Sequence, residues 1–187
     1  MKLVLPFTLL LLGLNAAPQT EYVSRSEDDQ RAMRAFAPFI GLWIDPESES
    51  RGFEFAWGFE EKTAHLREFK IVDDEREVLA EALAGWHYGR REIVFHEFVR
   101  DHRSFESMNA GVFRGREGAL LREYTSFDPN GSSRDYRERY ELLPAERLTL
   151  TIEYRDDESR WRPWGVFQAE RRAGLAGSSA GPADPGR

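Results

Sequence analysis

The feature that most constrains this chain is a repeated two-residue rhythm. Apolar and polar side chains alternate in short runs at 41–45, 51–59, 65–71, 78–88, 92–99, 104–113, 119–127, 134–143, 147–154 and 164–171. Alternation places successive side chains on opposite faces, the pattern of a half-buried strand. Most breaks between runs are short and carry turn formers: Asp73-Asp74, Gly89-Arg90, Asp101-His102-Arg103, the stretch 115–118, Asp128-Pro129-Asn130-Gly131, and Pro144-Ala145-Glu146. Such loops join only antiparallel neighbours, because parallel pairing needs a long crossover. About ten antiparallel strands in series either expose two edges or close on themselves. The pattern therefore predicts an all-β, up-and-down closed barrel of about ten antiparallel strands.

A short N-terminal helix is expected ahead of the barrel. Ser26 can cap it, Glu27, Asp28 and Asp29 suit the positive end of its dipole, Met33, Phe36, Ala37 and Ile40 form an apolar face at helical spacing, and Pro38 ends it. The remaining segments divide as 1–17 signal peptide, 18–40 N-terminal segment and helix, 41–172 barrel, and 173–187 disordered tail rich in small residues, Gly and Pro. The signal reading rests on Lys2, an apolar run over 3–14 and small residues at Ala16 and Ala17. An uncleaved anchor is its alternative. No second run of spanning length follows, so no membrane span is expected after cleavage.

Composition narrows the setting. The chain has 187 residues, 41% of them hydrophobic, enough for one domain with a sizeable core. It has no cysteine, so neither disulfides nor a lipid anchored through cysteine can hold it. Of 26 basic residues only Lys2, Lys62 and Lys70 are lysine, an arginine bias that with the signal points to a bacterial protein, periplasmic or secreted. A net charge of −7 disfavours nucleic acid and anionic membrane as partners.

Gly41-x-Trp43 opens the first strand, and Arg171-Arg172 closes the last. Antiparallel closure brings one of these arginines beside Trp43, where a guanidinium can stack on the indole. The combination of short helix, Gly-x-Trp, antiparallel meander and terminal arginine resembles the lipocalin-like barrels of the calycin group, in particular small secreted bacterial members. The resemblance spans 36–172 and implies a cavity for a small, partly apolar ligand.

Turn lengths also predict which residues face inward. A three-residue loop at 144–146 pairs Leu142 with Leu148, Tyr140 with Leu150, Glu138 with Ile152 and Tyr136 with Tyr154. This face is apolar apart from one charge, whereas the other is polar throughout, and a one-residue slip would exchange them. The preceding turn places Tyr124 against Tyr136 and Arg122 against Glu138, with Gly111 leaving room for Arg122. Trp86 pairs with Ile93, Ala84 with Phe95 and Ala82 with Glu97; Arg67 is expected beside Ala82, within reach of Glu97. His65, Ser107, Asn109 and Gln168 share the inward parity, and Phe53, Phe55, Trp57 and Trp164 supply aromatic walls.

The expected function is binding of a small amphipathic ligand, an organic acid or lipid, inside the barrel. Its candidate residues are Arg122, Tyr124, Tyr136, Glu138, Tyr154, Arg67, Glu97 and Trp57. An arginine fork matches a carboxylate, and tyrosine hydroxyls add to it. Against this stands an Arg122–Glu138 ion pair that merely fills the barrel. No metal or cofactor is expected: His87 and His96 share a face four steps apart, roughly 13 Å at ~3.3 Å per residue, and His65 as a haem ligand competes with ordinary packing. Catalysis is disfavoured too, since there is no Gly-x-Ser-x-Gly, no cysteine nucleophile and no phosphate loop, and carboxylates beside arginines stay ionised. The remaining alternative is a protein-interaction or structural module with a side-chain-filled barrel. It draws on an outward apolar patch of Leu79, Leu83, Val94, Phe98, Met108, Val112, Leu121 and Phe127, covered by Met33 and Phe36 of the helix or by a homodimer or other partner. Asn130-Gly131-Ser132 matches a glycosylation sequon but reads as a turn.

Overall fold

The computed structural model describes residues 26–101, 104–116 and 118–172. The signal at 1–17 and the tail at 173–187 lie outside the described residues. An α-helix, α1 (Ser26–Met33), continues as a 3-10 helix over Arg34–Phe39, which takes in Pro38. Ten strands follow: β1 (Gly41–Ile44), β2 (Arg51–Trp57), β3 (Thr63–Val72), β4 (Glu75–His87), β5 (Glu92–Asp101), β6 (Ser104–Arg116), β7 (Ala119–Phe127), β8 (Ser133–Leu143), β9 (Arg147–Arg155) and β10 (Trp161–Arg172). Each pairs antiparallel with its neighbour in sequence, and β1 pairs with β10, so the sheet is a closed ten-stranded barrel.

The seam explains Gly-x-Trp. Trp43 sits opposite Arg171. The Arg171 guanidinium lies 4.3 Å from the Trp43 ring centroid and donates to the carbonyls of Ile40 and Pro38. The Trp43 indole N–H donates to the Phe39 carbonyl at 2.7 Å. One arginine and one indole thus satisfy three carbonyls at the helix-to-strand passage, groups that would otherwise be left unpaired. Gly41 has φ +139°, and a Cβ there would press on the Arg171 guanidinium, so both backbone and space require glycine.

The helical segment closes one end of the barrel. Met33, Phe36 and Phe39 are buried in the same cluster as Phe55, Leu66, Phe95, Phe113, Leu120 and Leu150. Phe36 meets Phe113 edge-on with centroids 5.0 Å apart. This corrects the expectation that Met33 and Phe36 cover the outer patch: their face docks into the barrel end, where inward side chains of many strands converge and more apolar area can be removed from water.

The β7–β8 and β8–β9 registers are as the turn lengths predict, including Arg122 opposite Glu138 and Tyr136 opposite Tyr154. On β6, Phe113 rather than Gly111 lies across from Arg122, and Gly111 instead accommodates the backbone of Tyr124. The β3–β4 register differs more. The Asp73-Asp74 turn is tight, with both residues at positive φ, but Leu79 is an extra residue that shifts the pairing between Glu68 and Phe69. This bulge exchanges the faces of β3 beyond it. Leu66, not Arg67, lies opposite Ala82, and Arg67 is exposed and bonded to Glu81 at 2.8 Å. The expected Arg67–Glu97 contact is thereby ruled out, and His65, opposite exposed Leu83, also faces outward. Leu79 turns toward the interior rather than joining the outer patch.

Candidate functional site

Arg122, an inward residue of β7, lies beneath a cavity in the half of the barrel away from the helix. It is fully buried. One guanidinium nitrogen pairs with Glu138 of β8 at 3.0 Å, and the other with Glu97 of β5. Two rings pack against the guanidinium, with centroids 4.4 Å away for Phe95 and 4.5 Å for Tyr124. Glu138 also accepts the hydroxyls of Tyr124 and Tyr140, each at 2.7 Å. A buried charge survives only when paired and hydrogen-bonded. Burial opposes the positive charge of Arg122, but Glu138 and Glu97 outweigh it and hold its pKa above the ordinary arginine range. Burial, with Glu138 beside them, pushes the Tyr124 and Tyr140 phenols upward, so both remain neutral donors.

Above this floor lies a cavity of about 450 Å³, within the range that takes a small molecule. Phe53, Leu150, Ile152 and Phe167 supply apolar wall, with the stacked pair Tyr124–Tyr136, 5.4 Å between centroids and 17° between planes. Ser107, Asn109 and Ser126 supply polar wall. Trp164 is the extra residue of a bulge in β10, 60% exposed, and stands at the rim. Gln168, expected inward, is exposed between Phe167 and Ala169, which face the core, so its side chain has the outward parity of β10.

The sequence-derived site residues fall into three groups. Tyr124, Tyr136, Glu138 and Glu97 line the cavity. Arg122 lies beneath it, engaged by two carboxylates. Tyr154, Arg67 and Trp57 lie elsewhere. Tyr154 stacks under Arg134 near the strand ends, Arg67 is on the outer surface, and Trp57 packs against the helix-side core.

The residue that sequence reasoning missed is Glu68. The Leu79 bulge turns it inward in place of Arg67, and it lines the cavity opposite Ala80. Burial, then repulsion from Glu97 and Glu138, pushes its carboxyl up to about 8. No signal in the sequence marks the bulge, since Leu79 is neither glycine nor a turn former.

Among the described residues no group of three or more His, Cys, Asp or Glu is arranged to hold a metal ion, and no helix is long and apolar enough to cross a membrane. No protein-family model matches the chain, and no curated protein matches it.

Proposed function

We propose that this protein is a lipocalin-like binder of a small amphipathic ligand, held in the barrel cavity and acting in the periplasm or outside the cell. The carrying observation is the cavity itself: about 450 Å³, walled by aromatic and aliphatic side chains and floored by a buried, ion-paired polar cluster. A barrel meant only to be stable would fill that half as it fills the helix-side half, because unfilled core space is destabilising. The Gly41-x-Trp43 and Arg171 seam supports the lipocalin-like assignment, and the charged start and apolar run over 3–14 support export.

Native mass spectrometry of protein purified from its own cells tests the reading. The expected result is a small mass that leaves on denaturation and is missing from a folded Ala80→Trp variant, whose indole occupies the cavity. Ligand-free protein throughout would overturn it.

A second reading, an interaction module, is favoured by one observation. Phe98, Met108 and Phe127 are consecutive cross-strand neighbours on the outer face, 55%, 38% and 45% exposed. A dimeric or heteromeric mass without a small ligand would favour it.

A further inference from the structure

We propose that the cavity selects a ligand with a cationic head, a primary ammonium on an aromatic or aliphatic body, rather than an acid. This inference rests on the binding reading above and specifies its ligand.

The expectation of an organic acid required an arginine open to the lumen. Arg122 is closed off: both terminal nitrogens face glutamates, the Phe95 and Tyr124 rings pack against it, and none of its surface is exposed. A carboxylate entering the cavity meets other carboxylates instead. The charged residues lining it, among the described residues, are Asp45, Arg51, Glu68, Glu97, Asp128 and Glu138. With Arg122 beneath, five carboxyl groups stand against two guanidiniums.

An acidic lining alone does not define a site, but the unused valences within it do. Glu97 and Asn109 are cross-strand partners on β5 and β6, 2% and 4% exposed. Glu97 Oε2 takes the Asn109 Nδ2 donor and faces Arg122, while Glu97 Oε1 and Asn109 Oδ1 have no hydrogen-bond partner. The Asn109 orientation follows from this bond, because a carboxylate oxygen can accept only from the amide NH₂. Two buried acceptors of cross-strand partners are therefore left without a donor, and in the same cluster Arg122 Nε and Nη2 make no hydrogen bond. Leaving such groups unpaired is costly. An ammonium brings three donors and a positive charge to the two acceptors, and its bond to Glu97 would be charge-assisted. The neighbouring Tyr124–Tyr136 stack offers π surface to the same cation or to an aromatic body.

Three matched probes test this on the wild-type protein by titration calorimetry at pH 8.5: 2-(1-naphthyl)ethylamine, 2-(1-naphthyl)ethanol and 1-naphthylacetic acid. The amine should bind about tenfold or more tighter than the alcohol, with the acid weakest. Glu68→Gln, which removes one facing carboxylate, should narrow the amine's advantage severalfold. Equal affinity for amine and alcohol would overturn the head-group inference while leaving the cavity reading intact. Tightest binding of the acid would overturn it in favour of an anion site. Binding of none of the three to the folded barrel would overturn both.

Discussion

Replacing Glu68 with glutamine should stabilise the protein at neutral and alkaline pH and flatten a pH dependence that the wild type shows. The Glu68 carboxyl is pushed from the ordinary 4.5 to about 8 by burial and by repulsion from Glu97 on β5 and Glu138 on β8, partly offset by Arg122 on β7 and Arg51 on β2. Between those two values the folded chain holds a proton that the unfolded chain releases. Unfolding free energy is therefore greatest below about 4.5, falls as pH rises, and levels off above about 8. Each pH unit fully inside that window is worth ~1.4 kcal/mol, which bounds the total at ~5 kcal/mol. Glu68 is half-buried on a cavity that admits water, and screening reduces the expected loss to roughly 2–3 kcal/mol between pH 5 and 8.5. Asp45 and Asp156, whose carboxyls are held below their ordinary value by hydrogen bonds, titrate outside this range. Urea unfolding of both proteins at pH 5, 6.5 and 8.5 measures the difference. A wild-type stability that stays level or rises across this range, or a Glu68→Gln variant with the same slope as wild type, would refute the placement of this carboxyl.

Two further outcomes follow from the floor and from β6. Arg122→Met leaves Glu97 and Glu138 buried without their cation and should cost about 3–5 kcal/mol, while adding Glu97→Gln and Glu138→Gln restores a large part of it; thermal melts of the single and triple variants check this, and an undiminished single variant would contradict it. At Gly111 a Cβ would run into the Glu123 carbonyl and the Tyr124 backbone, so Gly111→Ala should cost at least about 1–3 kcal/mol in denaturant unfolding.

The barrel was legible because its turns preserve parity. From Arg147 back to Ala119 the loops at Pro144 and Asp128 are short, each face is chemically uniform, and one register satisfies all of them. The Arg122–Glu138 pair came from that register. The third member, Glu97, did not, because its approach to Arg122 depends on how β5, β6 and β7 curve together, which no single hairpin encodes. Arg67 and Glu68 were exchanged by one unannounced residue at Leu79, and every inward assignment on β3 past the bulge changed with it. The helix showed an apolar face, but its docking place depends on where the barrel leaves the largest apolar opening, a property of the assembled sheet.

The join between Trp43 and Arg171 has a consequence for biogenesis. The two residues are 128 positions apart, so the oldest and newest parts of the sheet meet only after the ribosome has released the final strand. Until then β1 and β9 are both open borders, able to recruit a strand from another nascent chain. Sealing is thus the last pairing of the sheet to become possible, and the arginine that completes it acts as a latch on an otherwise finished ribbon.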